Sequence, residues 1–181
     1  DYLVAVNVSD ETDQAVSKRI AVTAHSRSSY LGLQPEEWVQ QAGKPFGINV
    51  IAVDTEGRRI VANATLALTR RKWDCSGYYT RGYRCERKDT PLSTQSLSIA
   101  ASGSPRQVLT IAEPGEVVAT IEGQDAQGRQ LRAAASLWVI GEGEVVWGGD
   151  SSTRMQLIAN KAEYAPGETA MLVARANVGG S

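Results

Sequence analysis

One hairpin plan is written twice in this chain, and it restricts the fold to β-structure. The first copy runs Tyr2-Leu3-Val4-Ala5-Val6-Asn7-Val8, then Ser9-Asp10-Glu11-Thr12-Asp13-Gln14, then Ala15-Val16-Ser17-Lys18-Arg19-Ile20-Ala21-Val22-Thr23-Ala24. The second runs Glu116-Val117-Val118-Ala119-Thr120-Ile121-Glu122, then Gly123-Gln124-Asp125-Ala126-Gln127-Gly128-Arg129, then Gln130-Leu131-Arg132-Ala133-Ala134-Ala135-Ser136-Leu137-Trp138-Val139-Ile140. Each is an alternating strand, an Asp-centred turn and a second alternating strand. Alternation at period two is the mark of a half-buried strand. Self-similarity at about one domain length marks an array. If the second copy closes a domain, the first is expected to close an earlier one.

Composition narrows the class. With 181 residues and 42% apolar content, the chain can build the core of one domain or one and a half. Nineteen basic against twenty acidic side chains leave a formal net charge of −1. That balance excludes nucleic-acid or membrane-surface binding driven by bulk charge. No apolar run approaches the ~18 residues of a membrane-spanning helix. Regularly spaced short strands, with glycines scattered between them, predict an all-β fold of fibronectin-III-like sandwiches in tandem.

Along the chain, the polar run His25-Ser26-Arg27-Ser28-Ser29 ends the first hairpin, and Tyr30-Leu31-Gly32-Leu33 opens a central domain. Phe46 to Val53 reads as a strand, Asp54-Thr55-Glu56-Gly57-Arg58 as a tight turn with Gly57 at positive φ, and Ala62 to Leu68 as the return strand. Arg70 to about Pro91 reads as a long loop, and Leu92–Ala100 and Arg106–Ala112 as two more strands. Tyr30 to Ile140 should therefore hold about seven strands. The apolar trio Val145-Val146-Trp147 sits in a Gly-rich connector and reads as a packed interdomain seam or a last strand.

Within the long loop lie both cysteines, Cys75 and Cys85, among Trp73, Tyr78, Tyr79, Arg81, Tyr83 and Arg84. A disulfide suits an oxidising compartment and would stabilise by about 2–3 kcal/mol in the loop-entropy model. Two cysteines and one distant histidine make an incomplete zinc set. Two free thiols are the remaining alternative. Aromatic rings interleaved with arginines are what recognition surfaces use. They equally suit a loop whose rings pack on the sandwich edge with arginines stacked on them.

Catalytic constellations are not written here. His25, the only histidine, stands beside Ser26, Ser28 and Ser29 without a third group, so it reads as a boundary residue. Glu36-Glu37 and Glu142/Glu144 read as solvated turn carboxylates rather than an acid–base pair. Asp10, Asp54 and Asp125 recur at hairpin turns and read as turn formers, because calcium needs six or more converging oxygens. No metal and no cofactor is expected. Asn7-Val8-Ser9 and Asn63-Ala64-Thr65 match the glycosylation pattern at the frequency expected by chance.

Near the end, Tyr164-Ala165-Pro166-Gly167-Glu168 is a turn with a physical cause. Pro166 presets φ and Gly167 accepts the positive φ of a type II turn. Met171-Leu172-Val173-Ala174-Arg175 then reads as a strand. Lys161-x-x-Tyr164-x-Pro166-Gly167-Glu168-x-Ala170 is similar to the Asp-Lys-x-x-Tyr-x-Pro-Gly-Glu-Thr-Ala opening of macroglobulin-like domains, with Asn160 in place of the Asp. Tyr30-Leu31-Gly32-Leu33, Gly43-Lys44-Pro45-Phe46, Val53-Asp54-Thr55-Glu56-Gly57 and Trp147-Gly148-Gly149 follow the order of such domains. On these motifs the chain resembles the bacterial alpha-2-macroglobulins, large periplasmic protease traps.

That resemblance implies an organisation and a role. Residues 1–27 would be the C-terminal hairpin of one macroglobulin-like domain and 28–144 a complete one. Residues 145–152 would be a linker, and 153–181 the first strands of a domain near the bait segment. The implied role is a non-catalytic scaffold of an endopeptidase inhibitor, extracytoplasmic, meeting target proteases through the full-length protein and packing on neighbouring domains. A membrane anchor, if any, would lie elsewhere. Cys85-Glu86-Arg87-Lys88 is not the thioester tetrapeptide Cys-x-Glu-Gln, and no such tetrapeptide occurs in the chain. The alternative is an Ig-like module of an adhesin or glycan-binding surface protein, using the Tyr/Arg-rich Cys loop. A weaker one is a non-catalytic domain of a secreted hydrolase.

Overall fold

The computed structural model describes residues 1–12, 14–74, 86–103, 106–141 and 155–176. Every regular element among them is a β-strand. β1 (Tyr2–Ser9) and β2 (Ala15–Val22) form an antiparallel hairpin. β3 (Ser29–Pro35), β4 (Val39–Gln41), β5 (Pro45–Asp54), β6 (Ala62–Asp74), β7 (Glu86–Ile99), β8 (Arg106–Thr110), β9 (Gly115–Gln124) and β10 (Gln130–Ile140) build the centre. β11 (Met155–Ala159) and β12 (Leu172–Ala176) form the last hairpin.

The central strands divide into a five-stranded sheet, ordered β4-β10-β9-β6-β7, and a three-stranded sheet, ordered β3-β5-β8. Alternation explains how they close on one another. Phe46, Ile48, Val50 and Ala52 of β5 are buried, as are Ala64, Leu66 and Leu68 of β6 and Val117, Ala119 and Ile121 of β9. With Ile99, Ile111, Leu137 and Val139 they form one core cluster between the two sheets. Gly123 lets β9 sit close to its neighbours: a Cβ there would come within 2.9 Å of the Asn63 carbonyl oxygen and 3.2 Å of Leu31 Cδ1.

Two features depart from the expected layout. The long loop is shorter than its polarity suggests. β6 and β7 pair as far as Asp74↔Glu86, whereas β9 accompanies β6 only up to Arg71. The far end of β6–β7 is therefore a two-stranded arm, with ion pairs Arg71–Asp89 and Arg87–Asp89 (both 3.4 Å) near its base. Of these only Arg71–Asp89 crosses the ladder, and beyond it the opposed residues are mostly charged, so the arm carries no hydrophobic alternation. Pro91 is tolerated because β7 is an edge strand. The second departure is β4, a short strand paired in parallel with β10 at Trp138–Ile140. Three residues are too few to show a period.

Candidate functional site

The candidate site of this chain is its two joints, where the flanking hairpins are hydrogen-bonded to the central sandwich. Each joint is organised by one side chain.

At the first joint that side chain is Asp125. The turn Asp125–Arg129 closes by Asp125 N–H donating to the Arg129 carbonyl at 3.0 Å. The carboxylate then takes the amides of Gln127 (3.0 Å) and Arg129 (2.9 Å) on Oδ1. On Oδ2 it takes the Arg129 guanidinium (2.7 Å) and the backbone amide of Ser28 (3.2 Å). Ser28 belongs to the connection between β2 and β3, so the turn of one hairpin holds the linker from another. The Ser28 hydroxyl donates to Gln127 Oε1 at 2.6 Å, and Arg27 Nε donates to the Gln130 carbonyl at 3.0 Å. Burial works against the Asp125 charge, but these donors outweigh it and hold the carboxyl far below the usual carboxylate range.

The same device recurs without a second partner. Asp54 takes the amides of Glu56 and Arg58 on Oδ1 and the Arg58 guanidinium on Oδ2. Asp10 takes the amides of Thr12 and Gln14 and the Thr12 hydroxyl, all on Oδ1. The expectation that these three residues form turns is met. Their second role, at Asp125, was hidden because nothing local marks Ser28 as its partner.

At the second joint the organiser is Asn160, which is buried. Its Oδ1 accepts from the Tyr164 hydroxyl (2.5 Å) and the Met171 amide (3.2 Å). Its backbone amide donates to the Met171 carbonyl at 3.0 Å, and its carbonyl accepts from the Trp38 amide at 2.7 Å. The Trp38 carbonyl in turn accepts from the Trp138 amide at 2.7 Å. Main-chain hydrogen bonds thus run from β10 through Trp38 and Asn160 to the strand edge at Met171.

The motif residues surround this hub. Gly167 has φ of 84° and the Glu168 amide donates to the Ala165 carbonyl at 3.0 Å, as a type II turn requires. Glu168 accepts from the Ala165 amide at 3.0 Å and is ion-paired with Lys161. Its hydrogen bond with Glu168 holds the Lys161 ammonium above its usual pKa, with Glu37 adding to the effect. The Lys161 ammonium holds Glu168 below its own. Lys161, Tyr164, Pro166, Gly167 and Glu168 therefore act as one turn that fixes Asn160. Beside them, Glu36 is bonded to Arg106 through both oxygens (2.5 and 2.9 Å) and lies over Gly47, where a Cβ would come within 2.3 Å of its carboxylate. Glu36 is thus an ion-paired residue over the sheet of β3, β5 and β8 rather than a freely solvated turn acid.

The remaining candidates are placed as follows. His25 is exposed, and its Nδ1 lies 2.9 Å from the Tyr30 hydroxyl. Trp73 lies in the arm, its indole N–H buried with no hydrogen-bond partner among the described residues. Cys75, Tyr78, Tyr79, Arg81, Tyr83, Arg84 and Cys85, like Glu142, Glu144 and Val145-Val146-Trp147, lie outside the described residues. Among the described residues no group of His, Cys, Asp or Glu could hold a metal ion.

No protein-family model matches the chain. The "Alpha-2-macroglobulin homolog" of Nostoc sp. is 27% identical over 172 residues, which is 93% of this chain. The chain is thus similar in sequence, over nearly its whole length, to an alpha-2-macroglobulin homolog. It spans 9% of that relative's length. The native conformation of E. coli alpha-2-macroglobulin matches over 97% of this chain and 12% of its own, with a TM-score of 0.53 and 15% identity. The E. coli protein activated by porcine elastase matches with a TM-score of 0.45 and 16% identity, over 94% of this chain and 15% of its own. The macroglobulin relationship accounts for the all-β sandwich plan.

Proposed function

We propose that this chain is a scaffold segment of a bacterial alpha-2-macroglobulin-like endopeptidase inhibitor, itself non-catalytic. The observation that carries this reading is the second joint. The Lys161–Glu168 turn anchors Asn160, and Asn160 is hydrogen-bonded into the central sandwich through Trp38. Such a geometry orients successive units and performs no chemistry. In this reading residues 1–27 complete one macroglobulin-like unit, 28–144 form the next, 145–152 connect, and 153–181 begin a third. The full protein acts outside the cytoplasm, where the Cys75–Cys85 disulfide would form, and meets its target proteases through parts beyond this segment.

The test is inhibition by the full natural polypeptide. Proteases of several classes should lose activity on protein substrates while keeping it on small peptide substrates, and the 181-residue chain alone should do neither. Unchanged hydrolysis of protein substrates would refute the reading.

The two-stranded end of β6–β7 favours a second reading, a binding module for a glycan or protein, because the Tyr/Arg-rich stretch of the sequence lies between the two strands that pair there. Binding by the 181-residue chain alone, lost on Tyr79→Ala or Tyr83→Ala, would select that reading.

A further inference from the structure

The two hairpins share more than a sequence plan. When Asp10 is set on Asp125, the partners across each ladder coincide. Val8↔Val16 takes the place of Gly123↔Leu131, Val6↔Lys18 that of Ile121↔Ala133, and Val4↔Ile20 that of Ala119↔Ala135. In β9–β10 this face is the core face: Val117, Ala119, Ile121 and Leu137 are fully buried against the sheet of β3, β5 and β8. In β1–β2 the equivalent side chains are uncovered. Val4, Val6, Val8, Val16, Ile20 and Val22 are 42–73% exposed. One pairing plan, with Lys18 standing in the place of Ala133, is thus filled in one hairpin and open in the other.

The turn shows the same contrast. Asp125 uses Oδ1 for its own loop and Oδ2 for Arg129 and Ser28. Asp10 satisfies its own loop with Oδ1 alone. Gln14 stands where Arg129 stands, so the intraloop guanidinium is missing, and Oδ2 of Asp10 accepts nothing among the described residues. A carboxylate oxygen with no donor among the described residues at one copy, and bonded to an incoming backbone amide at the other, is a candidate acceptor.

We propose that Asp10 Oδ2 is a clasp for the backbone amide of a linker from another sandwich unit of the same polypeptide, as Asp125 is for Ser28. The sheet that this linker enters covers the Val4/Val6/Ile20 face. The occupant is a sheet of the β3-β5-β8 kind, because that is what covers the matching face of β9–β10. A second copy of this chain cannot supply it, since its own three-stranded sheet already faces Val117, Ile121 and Leu137. The Nostoc relative, of which this chain spans 9%, has ample length for further units. The proposal rests on the array reading given above and adds the residue that registers one unit against the next.

The experiment uses the full natural polypeptide beside the 181-residue chain, with two readouts. First, Ile20→Cys is labelled with a soluble maleimide and quantified by peptide mass spectrometry. Labelling at least tenfold slower in the full polypeptide is expected, and equal labelling overturns the array reading and the clasp together. Second, Asp10→Asn keeps the Oδ1 acceptor for its own loop and places an NH2 donor at the clasp. Amide exchange in the linker that docks there should rise at least tenfold, with Ile20→Cys still protected. A protected face with unchanged linker exchange leaves the array standing and overturns the clasp. Asp125→Asn, read at the Ser28 amide, is the internal control.

Discussion

The amide of Trp38 donates to the carbonyl of Asn160 at 2.7 Å, and this bond joins the central sandwich to the last hairpin. Around it, one amide side chain satisfies two further donors, the Tyr164 hydroxyl and the Met171 amide. Replacing it with a methyl group leaves both part-buried donors without this acceptor. Asn160→Ala should therefore cost about 1–3 kcal/mol at this joint, the usual penalty for unpaired buried groups. Hydrogen exchange would show it as faster exchange across residues 155–176, with β9 and β10 unchanged.

Core substitutions should behave differently, because they act on the sandwich as a whole. Leu66 is 1% exposed and lies in the cluster between the sheets. Leu66→Ala should destabilise by about 2–5 kcal/mol, from lost burial plus the cavity left behind. Chemical denaturation should show a lower midpoint with an unchanged slope.

Gly123→Ala tests close packing rather than conformational freedom, since Gly123 is not among the glycines with positive φ. Its added Cβ would meet a backbone carbonyl oxygen at 2.9 Å, which cannot swing aside. The expected cost is about 1–3 kcal/mol, the range for overpacked sites. Gly47→Ala meets only the movable end of Glu36, so it should separate Glu36 from Arg106 and leave the fold intact. Thermal denaturation of the two variants side by side would show the difference.

Acid stability follows from the depressed carboxyls. A group with a lowered folded pKa stabilises fully above its unfolded value, near ~3.9 for aspartate, and loses that contribution as pH falls toward the folded value. Asp125, Asp54, Asp10, Glu36 and Glu168 are all lowered by their donors. Stability should therefore fall steadily below about pH 4. Asp125→Asn should be less stable than the wild type at neutral pH, and its stability should fall less steeply in acid. Lys161 has the opposite sign: its raised pKa makes its contribution complete below ~10.4 and lost as pH rises past that value. Denaturant titrations across pH would check both ends.

Much of this was legible in the sequence, for reasons that differ by residue. The strands of the core could be read because Ile48, Val50 and Ala52, or Val117, Ala119 and Ile121, alternate with less buried neighbours. The turns could be read because Asp125, Gly128, Pro166 and Gly167 have backbone preferences of their own. The arm beyond Arg71 could not, because Lys72, Trp73, Arg87 and Lys88 pair across a ladder that covers no core. Trp38 was silent because it contributes only main-chain groups to its joint, and any residue but proline could do so, while Ser28 was silent because its amide and hydroxyl meet partners about a hundred residues away. Asn160 was visible only as a departure from a motif, and its role as a hub needed the Met171 amide brought back beside it.

In the role proposed above, this segment serves a longer protein that traps a protease and changes shape around it. The most direct measurement is the hydrodynamic radius of the full natural polypeptide before and after exposure to an active protease. An active-site-blocked protease serves as the control. Compaction is expected with the active protease only, with the protease retained in the compact species. An unchanged radius with the protease released and fully active would contradict it.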